Sequence, residues 1–391
     1  MPKIGYVIHT EYLYREFRER SMKFGLDLSP VVQDGIGIYK VDFISGNSGY
    51  LLPEDQKEVE NIQFPYILFL PDETKQFNEV LIILNGLNES EYRKFFPWAA
   101  SFAKSGVPSI VFPIAFLINR RPRRWFIPRD LEKRLDARRG LNGNDKCTLY
   151  NAVLSERLEK KPERFFLSGL ETYRDLFDLG SSINSGRYIV TQGGKTFRPF
   201  AKGTRVHFLG YSLGGYLSLI LLMGKKNEPA FSQSKLVIFC SGAAINNEKP
   251  ELNANPISPL ILDTSASRRL VSFYKHGEEF PYMDTEEAVF FKAVFLGYRE
   301  TLNAKLTGLK SRIKIIGGEN DKVIPIRGME KNLGWIDEGL KLGIHEYPFS
   351  VESLDVPNLE RKMSRSYNVA EGFQAVFKRF VDCVIGELFK D

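Results

Sequence analysis

The stretch Arg205-Val-His-Phe-Leu-Gly-Tyr-Ser-Leu-Gly-Gly-Tyr-Leu-Ser-Leu-Ile-Leu-Leu-Met223 decides the fold class of this 391-residue chain. It joins two apolar runs through a Gly-x-Ser-x-Gly pentapeptide; the first run predicts a buried strand and the second a helix. A turn this sharp between a strand and a helix holds its central residue, Ser212, in a strained backbone conformation. The residues two before and two after it must therefore be small, and Gly210 and Gly214 meet that requirement.

Short apolar runs alternate with helical patterns on both sides of this stretch. Val80 to Leu84 is apolar at every position, which is typical of a strand buried on both faces of a sheet. Strands that alternate with helices predict an α/β fold with a mostly parallel central sheet flanked by helices. The alternation is interrupted at about 115–200 and 245–308, so we predict one domain over 35–391 with two large insertions, preceded by an N-terminal arm over 1–34. The strands expected are 35–44, 62–70, 80–84, 107–114, 205–209, 236–239, 312–316 and 343–347, and the main helices are 92–104, 169–183, 215–223, 286–302 and 369–389.

The pentapeptide and its flanks resemble the nucleophile elbow of the α/β-hydrolase superfamily, and the resemblance extends over most of the chain from about residue 35. It implies an eight-stranded, mainly parallel sheet, a Ser-acid-His triad in that chain order, and a cap over the pocket, which the two insertions would form. In this family the exposed serine hydroxyl attacks a carbonyl carbon. The resemblance therefore implies that Ser212 is the nucleophile for an ester or amide substrate.

Two further segments are similar to the family's pattern. In Leu84-Asn-Gly-Leu-Asn88 an asparagine stands where the family commonly has histidine before glycine, which leaves a backbone donor at Leu87. The resemblance implies that the N–H groups of Leu87 and Leu213 form the oxyanion hole; an ordinary Asn-Gly turn is the alternative. The segment 315–325 resembles the family's strand-then-acid loop and gives Asp321 the position of the triad acid, with a surface turn residue as the alternative.

The triad histidine has no direct counterpart, because the loop after the last predicted strand, 348–357, contains no histidine. His345 is nearest in sequence to the expected position and is a candidate base, but it lies within a predicted strand, which favours a structural histidine. The other candidates considered are His207, His276, His9 and Glu352. Two functions remain open: a serine hydrolase with a nonstandard base, and a catalytically impaired hydrolase-fold protein that binds a ligand.

The overall composition excludes several other classes of protein. With 43% hydrophobic and 26% charged residues the chain is typical of globular proteins, and its longest apolar stretch, Leu217 to Met223, is too short to span a membrane. The first residues lack the pattern of a secretory signal, so a cytoplasmic protein is expected. The three cysteines and four histidines are scattered, so neither a metal site nor a cofactor is expected.

Eight arginines follow the predicted strand 107–114 closely. One alternative is a solvated basic face, and the other is a rim that binds an anion. We expect a small-molecule ester or amide as the ligand, anionic if the second alternative holds, and no nucleic acid, because no nucleic-acid-binding module accompanies the arginines. These residues are Arg120, Arg121, Arg123, Arg124, Arg129, Arg134, Arg138 and Arg139.

Overall fold

A computed structural model describes residues 31–33, 35–72, 74–192, 194–245, 257–259, 261–321, 323–337, 339–345 and 367–389. The strands within these residues are β1 (Val31–Gln33), β2 (Ile36–Ile44), β3 (Gln63–Leu70), β4 (Phe77–Leu84), β5 (Ser109–Phe112), β6 (Val190–Gln192), β7 (Lys195–Phe197), β8 (Phe200–Tyr211), β9 (Leu236–Phe239), β10 (Ile313–Asn320) and β11 (Leu340–His345). Strands β6 and β7 form a separate hairpin, and the other nine form one sheet.

The sheet has the strand order β1-β2-β3-β5-β4-β8-β9-β10-β11. Neighbouring strands are antiparallel from β1 through β2 and β3 to β5, whereas β5, β4, β8, β9, β10 and β11 run parallel to one another. This topology confirms the predicted fold class, a mainly parallel α/β-hydrolase sheet flanked by helices. The carboxyl ends of β4, β5, β8, β9 and β10 consequently meet at one side, here called the carboxyl edge, where open α/β sheets bind their ligands.

Helices cover both faces of the sheet. The α-helices within the described residues are α1 (Val59–Ile62), α2 (Phe96–Lys104), α3 (Pro128–Arg139), α4 (Leu149–Lys160), α5 (Glu163–Asn184), α6 (Leu213–Lys225), α7 (Thr264–His276), α8 (Glu286–Leu296), α9 (Arg299–Leu306), α10 (Ile326–Leu333) and α11 (Tyr367–Phe389). On one face, α2 and α11 pack their aromatic residues together, with the rings of Trp98 and Phe380 5.3 Å apart. The opposite face is covered by α5 and α6, which share the larger buried core. Within the described ranges, no helix combines the length and the hydropathy of a membrane span.

The connections β5–β8 and β9–β10 contribute most of the helices outside the sheet layers. The first connection contains α3, α4 and α5, and the second contains α7, α8 and α9. The two connections are packed together, since α4 lies against α7 and α5 contacts α8. They enclose the cavity described below.

Several elements differ from the prediction: the sheet has nine strands where eight were expected, several strands and helices have other bounds, and one predicted helix is divided. The helix expected over 286–302 is two helices, because Gly297 adopts a left-handed φ of 75° that ends α8. A Cβ atom at Gly297 would lie 2.7 Å from the Cβ of Ala244, so the chain reverses where only glycine fits. The last strand, β11, begins three residues earlier than predicted. The loop 348–357, including Glu352, and residues 1–30, including His9, lie outside the described residues.

Candidate active site

Ser212 stands between β8 and α6 with φ 50° and ψ −115°, a conformation that L-residues rarely adopt. Backbone hydrogen bonds hold it there: its N–H donates to Phe239 O at 3.0 Å, and its carbonyl accepts from Gly215 N at 3.0 Å. Ser241 Oγ donates to the same carbonyl. The strain of the turn is therefore sustained by β9 and by the first turn of α6.

The glycines of the pentapeptide leave room for this turn. A Cβ atom at Gly210 would lie 2.5 Å from Gly215 Cα, and one at Gly214 would lie 2.6 Å from Leu84 O. Both obstructing atoms belong to the backbone, which cannot move aside without displacing a strand or a helix. This geometry is the physical reason for the spacing that was recognised in the sequence.

The turn after β4 lies directly against the elbow. A Cβ atom at Gly86 would be 3.2 Å from the Cβ of Ser212. The asparagine that replaces the family's histidine ties three segments together: the carbonyl of Asn85 accepts from Gly214 N at 3.0 Å, and its Oδ1 accepts from Ile114 N at 2.9 Å. Asn85 thus fixes the turn relative to both α6 and the loop after β5.

The amides of Leu87 and Leu213 are the expected oxyanion donors. Leu87 follows Gly86 in the turn, and Leu213 is the first residue of α6. Among the described residues neither amide donates to a backbone or side-chain acceptor outside its own element. Both residues line the same cavity as Ser212.

Asp321 follows β10 and reaches the same region of the carboxyl edge. Its Oδ1 accepts from Val323 N at 2.7 Å and from Ile324 N at 2.9 Å, so the carboxylate is oriented by its own loop. Asp321 and Ser212 line one pocket of about 300 Å³, its open mouth included, which we call the Ser212–Asp321 pocket. The structure thereby brings together two of the three predicted catalytic residues, which are 109 positions apart in the chain.

The histidine candidates are dispersed. His345 is the last residue of β11, where its backbone is in register with Asn320, the residue before Asp321; its side chain lies outside the described part of the structure. His207 is buried in β8, where Nδ1 accepts from Lys235 N at 3.0 Å and Nε2 faces Glu79 Oε1 at 3.2 Å. Burial lowers the pKa of His207, in keeping with a neutral imidazole in a structural role. His276 ends α7 in an exposed position and does not line the cavity.

Three residues that sequence reasoning missed line or adjoin the Ser212–Asp321 pocket. Glu89 and Cys240 line it, and Lys94 forms an ion pair with Glu89 while its Nζ lies 4.8 Å from the centroid of the Tyr211 ring. Burial and the nearby charge of Asp321 raise the pKa of the Cys240 thiol far above its ordinary value, which favours the neutral thiol over the nucleophilic thiolate. No local sequence pattern distinguishes Glu89 or Lys94 from surface residues, because only the folded turn brings them to Ser212.

The main cavity opens beside Ser212 and encloses about 1270 Å³, including its mouth. Its walls come mostly from the two long connections and from α6, and they are almost entirely apolar. A large apolar cavity that contains a few polar groups is typical of a small-molecule site. Representative wall residues are Leu154, Phe165, Leu217, Ile220, Phe291 and Phe295.

For two buried members of the arginine cluster, Arg120 and Arg138, neither predicted alternative holds. Arg120 is fully buried and pairs with Glu171 and Asp175, at 3.4 and 3.0 Å. Arg138 is also buried and forms a bidentate ion pair with Asp263. These side chains neither face solvent nor line the main cavity, because internal carboxylates bind them. The arginines that do line the cavity are Arg157 and Arg164, which come later in the chain.

Comparison with known proteins gives a family and a set of similar folds. The model of a family of unknown function, DUF6051, matches residues 45–384. No curated protein matches the chain significantly in sequence. Among solved structures, the esterase Est22 is 14% identical over 94% of this chain and 91% of its own, with a TM-score of 0.42.

Two other solved structures give similar values. Brefeldin A esterase, a bacterial homologue of human hormone sensitive lipase, is 11% identical over 98% of this chain and 85% of its own, with a TM-score of 0.43. Carboxyl esterase 2 from the mycorrhizal fungus Tuber melanosporum is 11% identical over 93% and 97%, with a TM-score of 0.41. At these scores the fold assignment depends on the strand order and the elbow geometry, and not on the neighbours.

Proposed function

Since the chain belongs to the family of unknown function DUF6051, we propose a function for it from its own site: a serine hydrolase that cleaves an ester or amide through Ser212. The observation that carries the proposal is that Ser212 has a strained backbone, lines an apolar cavity and shares a pocket with the carboxylate of Asp321. A hydroxyl presented in this way can attack a bound carbonyl, with backbone amides beside it to stabilise the oxyanion.

The proposed reaction has two steps. Ser212 Oγ bonds to the carbonyl carbon while its proton passes to a base, and the negative oxygen accepts from the N–H groups of Leu87 and Leu213. The base returns the proton to the leaving alcohol or amine as the C–O or C–N bond breaks. Water then hydrolyses the acyl-serine bond and releases the carboxylic acid. We assign His345 as the base and Asp321 as the residue that orients it, because β11 places His345 beside the strand end that precedes Asp321.

A ligand-binding protein without catalysis is the second candidate. The observation that favours it is that no histidine follows residue 345 in the sequence. The α/β-hydrolase pattern has its histidine there, in the loop after the last strand. Without a base, Ser212 keeps its proton and most of the catalytic advantage is lost.

Labelling with a fluorophosphonate distinguishes the two candidates. We expect rapid formation of one covalent adduct, mapped by peptide mass spectrometry to Ser212 and abolished in Ser212→Ala. Ser232→Ala is the matched control, because Ser232 is exposed and remote from both cavities, and it should label like the wild type. His345→Ala should slow labelling by at least about tenfold if His345 is the base. Folded wild-type protein that stays unlabelled would favour the ligand-binding candidate.

A further inference from the structure

The main cavity has one charged region within its apolar wall. Arg157 on α4 and Arg164 on α5 both line it, and their side chains are only 16% and 11% exposed. One buried carboxylate lies between them: Asp55 Oδ1 accepts from Arg157 Nη2 at 2.8 Å, and its Oδ2 accepts from Arg164 Nε at 2.7 Å. Two guanidinium groups therefore share a single buried negative charge.

A second carboxylate near this pair, that of Glu54, is at the surface and is shared by two cations. Glu54 accepts from Arg164 Nη2 at 2.8 Å and also from Lys161 Nζ at 2.6 Å, and its side chain is 43% exposed. Arg157 has no such second partner: within the described ranges its guanidinium makes one hydrogen bond, the one to Asp55. Burial lowers the pKa of Arg157, and the hydrogen bond from its guanidinium to Asp55 acts in the opposite direction.

Aromatic rings hold the Arg157 guanidinium in place. It lies 4.2 Å from the ring centroid of Trp125 and 5.3 Å from that of Phe116, and the two rings are stacked 5.7 Å apart. Phe116 has a positive φ of 61°, and its N–H donates to the buried Asn61 Oδ1 at 3.1 Å. A strained residue fixed by a buried side chain indicates a position that the surroundings strongly determine. Phe116 and Trp125 also line the main cavity, so Arg157 is a preorganised cation in its wall.

We propose that Arg157 binds a carboxylate at the end of the substrate remote from the bond that is cleaved. The substrate class is then an ester or amide with an apolar acyl chain that ends in a carboxylate, a half-ester of a dicarboxylic acid being the simplest case. The apolar walls accommodate the chain, and Arg157 compensates the cost of burying its charged end. This inference rests on the proposed function for the position of the reacting carbonyl at Ser212.

The test compares two chromogenic esters of equal chain length, p-nitrophenyl hydrogen suberate and p-nitrophenyl octanoate. We expect wild-type kcat/KM to be higher for the suberate by about tenfold or more, since hydrogen bonds to charged groups are among the stronger ones. Arg157→Gln should remove this preference by lowering kcat/KM for the suberate, because Gln offers a hydrogen-bond donor without the positive charge. Arg134→Gln is the matched control: Arg134 pairs with Glu156 outside the cavity, and its variant should keep the preference.

The outcomes separate this inference from the proposed function. A wild-type preference for the octanoate, or a preference that survives Arg157→Gln, overturns the role of Arg157. If the wild type hydrolyses neither ester, calorimetric titration of Ser212→Ala with monomethyl suberate replaces the kinetic assay. If Ser212→Ala binds monomethyl suberate and Ser212→Ala/Arg157→Gln does not, the carboxylate site is supported without hydrolysis. Equal affinities of the two variants for this ligand, or no binding by either, overturn it. Arg157→Met replaces the Gln variant in both assays if that variant does not fold.

Discussion

At the scale of single residues, backbone strain is concentrated at the carboxyl edge. Of six described non-glycine residues with positive φ, five either line the main cavity or the Ser212–Asp321 pocket or are next in sequence to a residue that does: Asn88, Phe116, Ile118, Ser212 and Cys240. Strain of this kind costs on the order of 1–3 kcal/mol per residue and persists only where neighbouring structure enforces it. Its concentration around Ser212 supports the assignment of this edge as the functional site.

Gly214→Ala tests the elbow at this scale. The new methyl group would meet Leu84 O at 2.6 Å, so β4 and α6 must separate. We expect a loss of about 1–3 kcal/mol in the free energy of unfolding and a large loss of fluorophosphonate labelling. Urea denaturation and the labelling rate provide the two measurements.

The matched control for this change is Gly386→Ala in α11, where nothing lies within 4 Å of the new Cβ atom. Alanine should stabilise that helix by up to about 1 kcal/mol and leave labelling unchanged. Normal stability and normal labelling of Gly214→Ala would show that the close approach of α6 to β4 is not required.

At the scale of elements, a buried polar cluster ties the loop after β5 to α5. Arg120 donates through Nε to Asn61 Oδ1 at 3.0 Å and pairs with Asp175, and both oxygens of Glu171 accept from Asn61 Nδ2 at 2.8 Å. Asn61 Oδ1 also accepts a hydrogen bond from the N–H of Phe116, whose ring stacks on Trp125. The cluster therefore supports the part of the main cavity's wall where Trp125 contacts Arg157. It explains why the Arg120 side chain is inside the protein.

This cluster predicts a pH dependence of stability. Burial, reinforced by the charge of Asp175 and opposed by Arg120, raises the pKa of Glu171 to about 7. The native state therefore retains a proton that the unfolded chain releases above about pH 4.5, and this contribution to stability is lost as the pH rises to about 7. Glu171→Gln mimics the protonated acid, so its stability relative to wild type should increase from pH 5 to pH 8 by on the order of 3 kcal/mol.

Urea denaturation across that pH range measures the difference. Glu286→Gln, which removes a carboxylate from an exposed ion pair with Lys305, is the control and should show little pH-dependent difference. A difference between Glu171→Gln and wild type that stays constant from pH 5 to pH 8 would contradict the raised pKa of Glu171.

At the scale of the whole molecule, the features that could be predicted from the sequence are those encoded by patterns of consecutive residues. The strand, elbow and helix around Ser212, the buried strands and the acid loop at Asp321 are contiguous signals, and the sheet confirms the fold class they indicated. The pairing of arginines with carboxylates was not predictable, because Arg120 and Asp175 are 55 positions apart and meet only through α5. The same holds for Glu89, Lys94 and Arg157, whose roles depend on which loops converge at the carboxyl edge.

The break of α8 at Gly297 also lay beyond the pattern. The residues 286–302 have helical spacing, but the contact between Gly297 and Ala244 belongs to the tertiary structure. The helical spacing therefore predicted correctly that this segment is helical, but it did not predict the end of α8.

The central claim is that Ser212 attacks a carbonyl whose oxygen is held by the amides of Leu87 and Leu213. A crystal structure of the protein after reaction with a short alkyl fluorophosphonate tests it most directly, because the phosphonyl group mimics the tetrahedral intermediate. The account predicts phosphorus bonded to Ser212 Oγ, its phosphoryl oxygen about 2.7–3.1 Å from both amides, and the alkyl group inside the main cavity. An adduct on another residue, a phosphoryl oxygen that points away from both amides, or protein that forms no adduct would contradict it.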